Sequence, residues 1–213
     1  GVPVGYWRST GTSSNGFVVE SFIDELAAAA NRDPLAYRLD HLGGKPRHRA
    51  ALVNVAELSN WNEPAGPNRG RGVALIESSD SICAQVVEVY VSPRWELKIE
   101  RVCCVFDCRQ LIHPDSVRAQ LESSVVDGLS AALYGEITLV DGVVQQSNFD
   151  TYRVLGLRET PRIDIELLPQ GGRPGGVGEP AVPAAAPALA NAIYAATGRR
   201  IRNLPISRNF GPA

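Results

Sequence analysis

The chain has 213 residues, 44% of them hydrophobic, and a formal net charge of -2 at pH 7. That length can bury a substantial core, as one large domain or two small layers, while the near balance of charge leaves no footprint for nucleic acid or a membrane surface. No apolar run reaches the roughly 18 residues that span a bilayer and no charged-then-apolar leader opens the chain, so it reads as soluble; with no methionine at all, it is expected to be a processed product or part of a longer polypeptide.

Residues 1–16, rich in Gly, Ser and Thr, read as a linker that forms no regular helix, with Trp7 as a candidate core anchor. Over 17–31, Val19, Phe22, Ile23, Leu26 and Ala30 recur at helical spacing and predict an amphipathic helix. Asp33-Pro34 predicts the cap and first position of a second short helix, ended by Gly43-Gly44. A third helix is expected over 49–61.

The period then changes. The β-branched runs 72–77, 84–92 and 97–107 predict an antiparallel meander, which a helix from His113-Pro114 to Leu133 covers with Val117, Leu121, Val125 and Leu129. His113 reads as a cap. Asp141-Gly142 marks a two-residue hairpin, 162–168 alternates as a further strand, and 183–196 is an alanine-rich helix stopped by Gly198. The predicted class is α+β, a mainly antiparallel sheet with helices packed on one face. Residues 1–70 form an N-terminal loop and helical segment and 71–213 the α+β part, or the two form one continuous domain.

Cys83, Cys103, Cys104 and Cys108 lack the C-x-x-C pairing of a zinc or redox site. They are expected to be buried free thiols that bind no metal. More informative is 171–183, where five glycines in eight residues allow close backbone approaches and end at a single carboxylate, Glu179, followed by Pro180. Without a Lys-Ser/Thr ending it is no phosphate loop. Taken alone, it is either a flexible loop with a solvated Glu or a wall against which a ligand rests.

Three blocks carry a resemblance: Gly5-Tyr6-Trp7-Arg8-Ser9-Thr10-Gly11-Thr12-Ser13-Ser14-Asn15 leading into Glu20-Ser21-Phe22-Ile23-Asp24-Glu25-Leu26-Ala27; Val117-Arg118-Ala119-Gln120-Leu121-Glu122-Ser123; and Gly175-Gly176-Val177-Gly178-Glu179-Pro180 followed by Ala186-Pro187-Ala188-Leu189-Ala190-Asn191-Ala192-Ile193. In order and separation they resemble the C-terminal part of the molybdopterin-binding large (beta) subunit of the xanthine dehydrogenase and aldehyde oxidase family, of the isoquinoline 1-oxidoreductase type.

The resemblance implies a bacterial molybdenum hydroxylase acting on an N-heterocyclic aromatic or an aldehyde with water as oxygen source. Its cofactor is a molybdenum-pterin, in the cytosine dinucleotide form that bacterial members commonly carry, and electrons leave through iron-sulfur clusters on a partner subunit. Glu179 maps onto the general base that deprotonates the molybdenum-bound hydroxyl. Gln120 maps onto the glutamine that contacts pterin and metal oxygen. Arg8 falls at the substrate and cofactor end of the site, Ser9 and Gly11 supply backbone or hydroxyl contacts, and Gly176 and Gly178 leave room for the cofactor. Ser123 departs from the glycine that relatives often carry.

Such a site also needs the remaining half of the large subunit and the iron-sulfur subunit, which this chain does not contain. Localisation is open between cytoplasm and periplasm. A different class stays open as well: a cofactor-free fragment or structural domain in which the same motifs only preserve the fold.

Overall fold

The computed structural model describes residues 4–211. Three helices come first, α1 (Thr10–Ala29), α2 (Pro34–Asp40) and α3 (Pro46–Leu58), then the strands β1 (Arg69–Ser78), β2 (Ser81–Val91) and β3 (Leu97–Asp107). The long helix α4 (Pro114–Tyr134) precedes the small hairpin β4 (Leu139–Val140) and β5 (Val143–Val144). The chain continues with β6 (Arg162–Leu167), α5 (Val182–Thr197) and the short α6 (Ile206–Asn209). Asp33 caps α2, accepting from the Ala36 N–H at 2.8 Å, and the His113 ring caps α4 through the Ser116 N–H at 3.1 Å, both as the sequence predicts.

The main sheet has the order β1-β2-β3-β6. The first three strands form the expected antiparallel meander, but β6 joins β3 in parallel, with Arg101 opposite Arg162 and Phe106 opposite Leu167. A parallel neighbour needs a long crossover, and α4 with the β4–β5 hairpin supplies it. α4 packs with α5 in the layer on one face of the sheet.

The α+β class is borne out, while helices on one face is corrected to helices on both. Alternation decides this. Ala74, Ile76, Cys83, Val87, Cys104 and Phe106 turn to a layer made by α4 and α5. Val73, Ile82, Ala84, Val86, Cys103 and Val105 turn to the opposite side and pack on Leu35, Ala51, Leu52 and Val55 of α2 and α3. Because the middle of each meander strand is apolar on both faces, both had to be covered. The four cysteines are buried free thiols, as expected.

α5 approaches the sheet unusually closely. A Cβ on Gly72 would stand 2.1 Å from the Ala192 nitrogen and 2.2 Å from the Ala188 carbonyl oxygen. Small residues on the facing side of α5, Ala188, Ala192 and Ala196, complete the fit.

α1 differs from its prediction twice. It begins at Thr10, inside the stretch read as linker, and its inner face is polar. The residues it buries are Gly16, Glu20, Asp24 and Ala27, whereas Val18, Phe22 and Leu26 remain 65%, 58% and 40% exposed. Buried charges require partners. Glu20 accepts from Arg38 Nε and the Leu75 N–H, both at 2.9 Å, and Asp24 pairs with Arg200. The apolar spacing indicated a helix correctly but named the wrong side of it. Trp7, half exposed, is no core anchor.

Candidate functional site

The site forms where the segment before α1, the first half of α4 and the glycine loop meet. Between Trp7 and α1 the backbone reverses through Ser9 (φ 71°) and Thr10 (φ 47°), with the Thr10 N–H bonded to the Trp7 carbonyl at 2.8 Å. Two successive non-glycine residues in the left-handed region cost on the order of 1–3 kcal/mol each and need fixing from outside. Ser9 is buried and its hydroxyl donates to the Glu179 carbonyl at 2.7 Å, while the Ser13 hydroxyl donates to the Arg8 carbonyl at 3.0 Å. The strained turn is thus tied directly to the glycine loop.

The loop is seated on the two-residue turn between β1 and β2, where Ser79 and Asp80 both have positive φ. The Gly175 N–H donates to the Cys108 carbonyl at 2.9 Å and that of Gly176 to the Ser79 carbonyl at 2.8 Å. In return, the Ser81 hydroxyl donates to the Gly176 carbonyl at 2.6 Å. A Cβ on Gly175 would lie 2.4 Å from Ser81 Oγ, and one on Gly176 2.8 Å from Ser79 Cβ. These two glycines let the loop sit against the sheet. Gly178 is different, since a Cβ there would meet only Gln120 Oε1, at 3.9 Å.

Arg8 joins the three pieces. Its Nε donates to the Gly178 carbonyl at 2.8 Å; Nη1 donates to Ser123 Oγ at 2.9 Å and Asp127 Oδ2 at 2.8 Å. Nη2 reaches Ser124 Oγ at 2.9 Å, Gln120 Oε1 at 3.1 Å and again the Gly178 carbonyl. Gln120, Ser123, Ser124 and Asp127 follow i, i+3, i+4, i+7 spacing along α4, so one helix stripe is organised around one guanidinium. The acceptors around Arg8 account for all five of its N–H groups.

Of the residues singled out in the sequence, Arg8, Gln120, Gly178, Ser9 and Glu179 lie in one connected patch. Gln120 accepts from Arg8 and its amide NH2 has no partner within the described residues. Glu179 is exposed, and its carboxylate makes no hydrogen bond or ion pair with a described residue; its carbonyl accepts from Ser9 and from the Val182 N–H that starts α5. The backbone N–H groups of Val177, Gly178 and Glu179 likewise lack partners among the described residues. Gly176 faces the β1–β2 turn, and Gly11 stands exposed in the first turn of α1 with only Asn15 within 4.0 Å.

Asp127 and Ser124 were missed, and Ser123 was named only as a departure from the relatives' glycine. Their spacing from Gln120 carried the signal, since residues three, four and seven positions on share its face of a helix. Among the described residues no group of three or more His, Cys, Asp or Glu side chains could hold a metal ion. The arrangement offers instead a carboxylate, an amide donor and backbone donors, held on one rigid support.

The model of the molybdopterin cofactor-binding domain family matches residues 21–161. The chain is 35% identical over 209 residues to the beta chain of isoquinoline 1-oxidoreductase from Brevundimonas diminuta, a match that covers 96% of this chain and 27% of that protein. It is 34% identical to a component of nicotinate dehydrogenase from Pseudomonas putida, covering 97% of this chain and 19% of the relative. The chain therefore spans about a quarter or less of the length of these curated relatives. In fold it is similar to the aldehyde oxidoreductase from Desulfovibrio gigas, with a TM-score of 0.71, 12% identity, and coverage of 93% of this chain and 40% of that one.

Proposed function

The chain belongs to the molybdopterin cofactor-binding domain family, and from that premise we propose that it forms one wall of a molybdenum hydroxylase site. In this reading an N-heterocyclic aromatic or an aldehyde is oxidised with water as the oxygen source. The remaining half of the large subunit closes the site, and an iron-sulfur subunit receives the electrons.

The residues present fit a pterin-bound metal with oxygen ligands. The Gln120 amide NH2 and the N–H groups of Val177, Gly178 and Glu179, all without partners among the described residues, are donors that suit oxygen acceptors, and no described side chain fills the space at Gly178. When bound, the cofactor supplies oxygen transfer and accepts two electrons. The pterin form proposed is the cytosine dinucleotide, which release and chromatography of the nucleotide would identify.

What the protein adds is placement and a proton acceptor. Gln120 holds the cofactor by donation, because Arg8 already occupies its amide oxygen. Gly178 and the open Gly11 leave room for close approach, with Ser9 fixing the loop through the Glu179 carbonyl. Gly176 contributes by seating the loop on the β1–β2 turn. Glu179 is the general base that takes a proton from the reacting centre. The observation that carries this reading is the Glu179 carboxylate, unpaired among the described residues, on a loop held at two successive carbonyls by Arg8 and Ser9.

The test is Glu179→Gln in the completed enzyme. It is expected to retain molybdenum, measured by elemental analysis, while turnover falls by orders of magnitude. Near-normal turnover would overturn the assignment.

A further inference from the structure

A helix at a water boundary ordinarily sends its charges outward, but none of the residues that α1 exposes between Thr10 and Ala29 is charged. Glu20 and Asp24 are buried, and the partly buried Glu25 is held by Arg202 at 2.9 and 2.7 Å. What faces outward is Val18, Phe22 and Leu26, one above the other on successive turns, with Val19 beside them. Val18, Val19 and Phe22 are each more than half exposed.

Two hollows flank this stripe. One of about 390 Å³ lies where Phe17 and Val18 meet Trp7, Ala131, Pro183 and Leu204. The other, of about 320 Å³, lies where Phe17, Val18 and Phe22 meet Ile201. Trp7 directly precedes Arg8, and Pro183 stands in the first turn of α5, just after Glu179, so the first hollow borders the candidate site.

An exposed apolar face of this kind marks a contact surface. A membrane surface fits it poorly, because α1 has no Lys or Arg to meet lipid headgroups. A second copy of the chain would bring a second identical wall, and nothing to close over Arg8 and Glu179. The remaining part of the large subunit suits both needs. The chain matches 27% and 19% of the length of the curated relatives, so most of such a polypeptide lies outside it. Whatever closes the site beside Trp7 continues onto the adjoining face of α1. Resting on the reading of this chain as one wall of a molybdenum hydroxylase site, we propose that the remaining part of the large subunit docks on the outer face of α1. It lays an uncharged, apolar surface over Val18, Phe22 and Leu26 and fills the hollows beside them.

The experiment uses the completed enzyme carrying Val18→Cys, with maleimide labelling at that residue followed by peptide mass spectrometry. Labelling is expected to be at least about a hundredfold slower in the native enzyme than in urea, whereas a native rate within about tenfold of the denatured one overturns the proposal. Should Val18→Cys fail to fold, Val19→Cys is read to the same criterion. The occupant is identified with p-benzoylphenylalanine in place of Phe22. On irradiation it should cross-link to a large-subunit peptide outside these 213 residues. A cross-link to a second copy of this region, to the iron-sulfur subunit or to added lipid overturns the proposal, as does protection that appears only when concentration is raised about a hundredfold. Glu179→Gln in the same enzyme separates the two readings. Lost turnover with the α1 face uncovered overturns the docking alone, and a covered face with near-normal turnover overturns the base alone.

Discussion

Arg8 Nε and the carbonyl oxygen of Gly178 stand 170 residues apart in sequence and 2.8 Å apart in space. Through that contact the segment before α1 fixes the direction of the glycine loop, and through Gln120 and Asp127 it fixes the loop against α4. A lysine has one ammonium and cannot serve these groups together. Arg8→Lys is expected to lower stability by about 1 kcal/mol, read from urea unfolding, because the part-buried Gly178 carbonyl and Ser124 hydroxyl lose charge-assisted donors.

The glycines divide into two kinds with opposite expected behaviour. Gly175→Ala places a Cβ 2.4 Å from Ser81 Oγ and 2.9 Å from the Asp80 backbone. A loss of about 2–3 kcal/mol is expected, measured by thermal or urea unfolding. Gly11→Ala meets open space within a helix. It should be neutral or stabilising by about 0.5–1 kcal/mol in the chain, while molybdenum content of the completed enzyme falls if Gly11 borders the cofactor.

Acid should loosen the sheet first at its parallel edge. Burial works to raise the Asp164 carboxyl, but hydrogen bonds from Arg101 at 2.6 Å and Arg162 at 3.0 Å outweigh it and hold the group below its usual value. A carboxylate lowered on folding contributes stability above its ordinary range, and that contribution is lost as pH falls through the folded value. Since Arg101 is on β3 and Asp164 on β6, the pairing of those strands weakens from about pH 4 downward. Asp164→Asn is expected to cost about 1 kcal/mol at pH 7 and to flatten the acid limb of the unfolding curve.

The thiols should be silent in the native state. Burial pushes Cys103 up to about 11, and the hydrogen bond shared with Cys83 together with burial raises Cys104 well above an ordinary thiol. Thiolate is the reactive form. With Ellman's reagent at pH 7.5, the native chain should react at least about a hundredfold more slowly than the denatured one, which exposes four thiols.

Much of this architecture was legible because local signals and packing agree. Asp33-Pro34 and His113-Pro114 marked two helix starts, and the alternating valines of β2 with the β-branched and apolar run of β3 marked two strands. The resemblance to the molybdenum family is borne out by the family match. The parallel seat of β6 was not legible, because alternation gives a strand and leaves its neighbour undetermined. Nor was the helical start at Thr10, where two left-handed residues with outside support replace the usual cap. The site residues inside motifs could be named, whereas Asp127 acts through a contact to Arg8, 119 residues away.

The reversed polarity of α1 bears on how the isolated chain behaves in solution. Val18, Phe22 and Leu26 form an oily ridge on a protein of net charge -2, which gives weak mutual repulsion. Dynamic light scattering of the chain alone should show self-association that grows with concentration. Replacing Val18 and Phe22 by Asp should suppress it while changing the unfolding free energy by no more than about 0.5 kcal/mol, since both side chains already face water. The outer side of α1 is then one determinant of the concentration the chain tolerates.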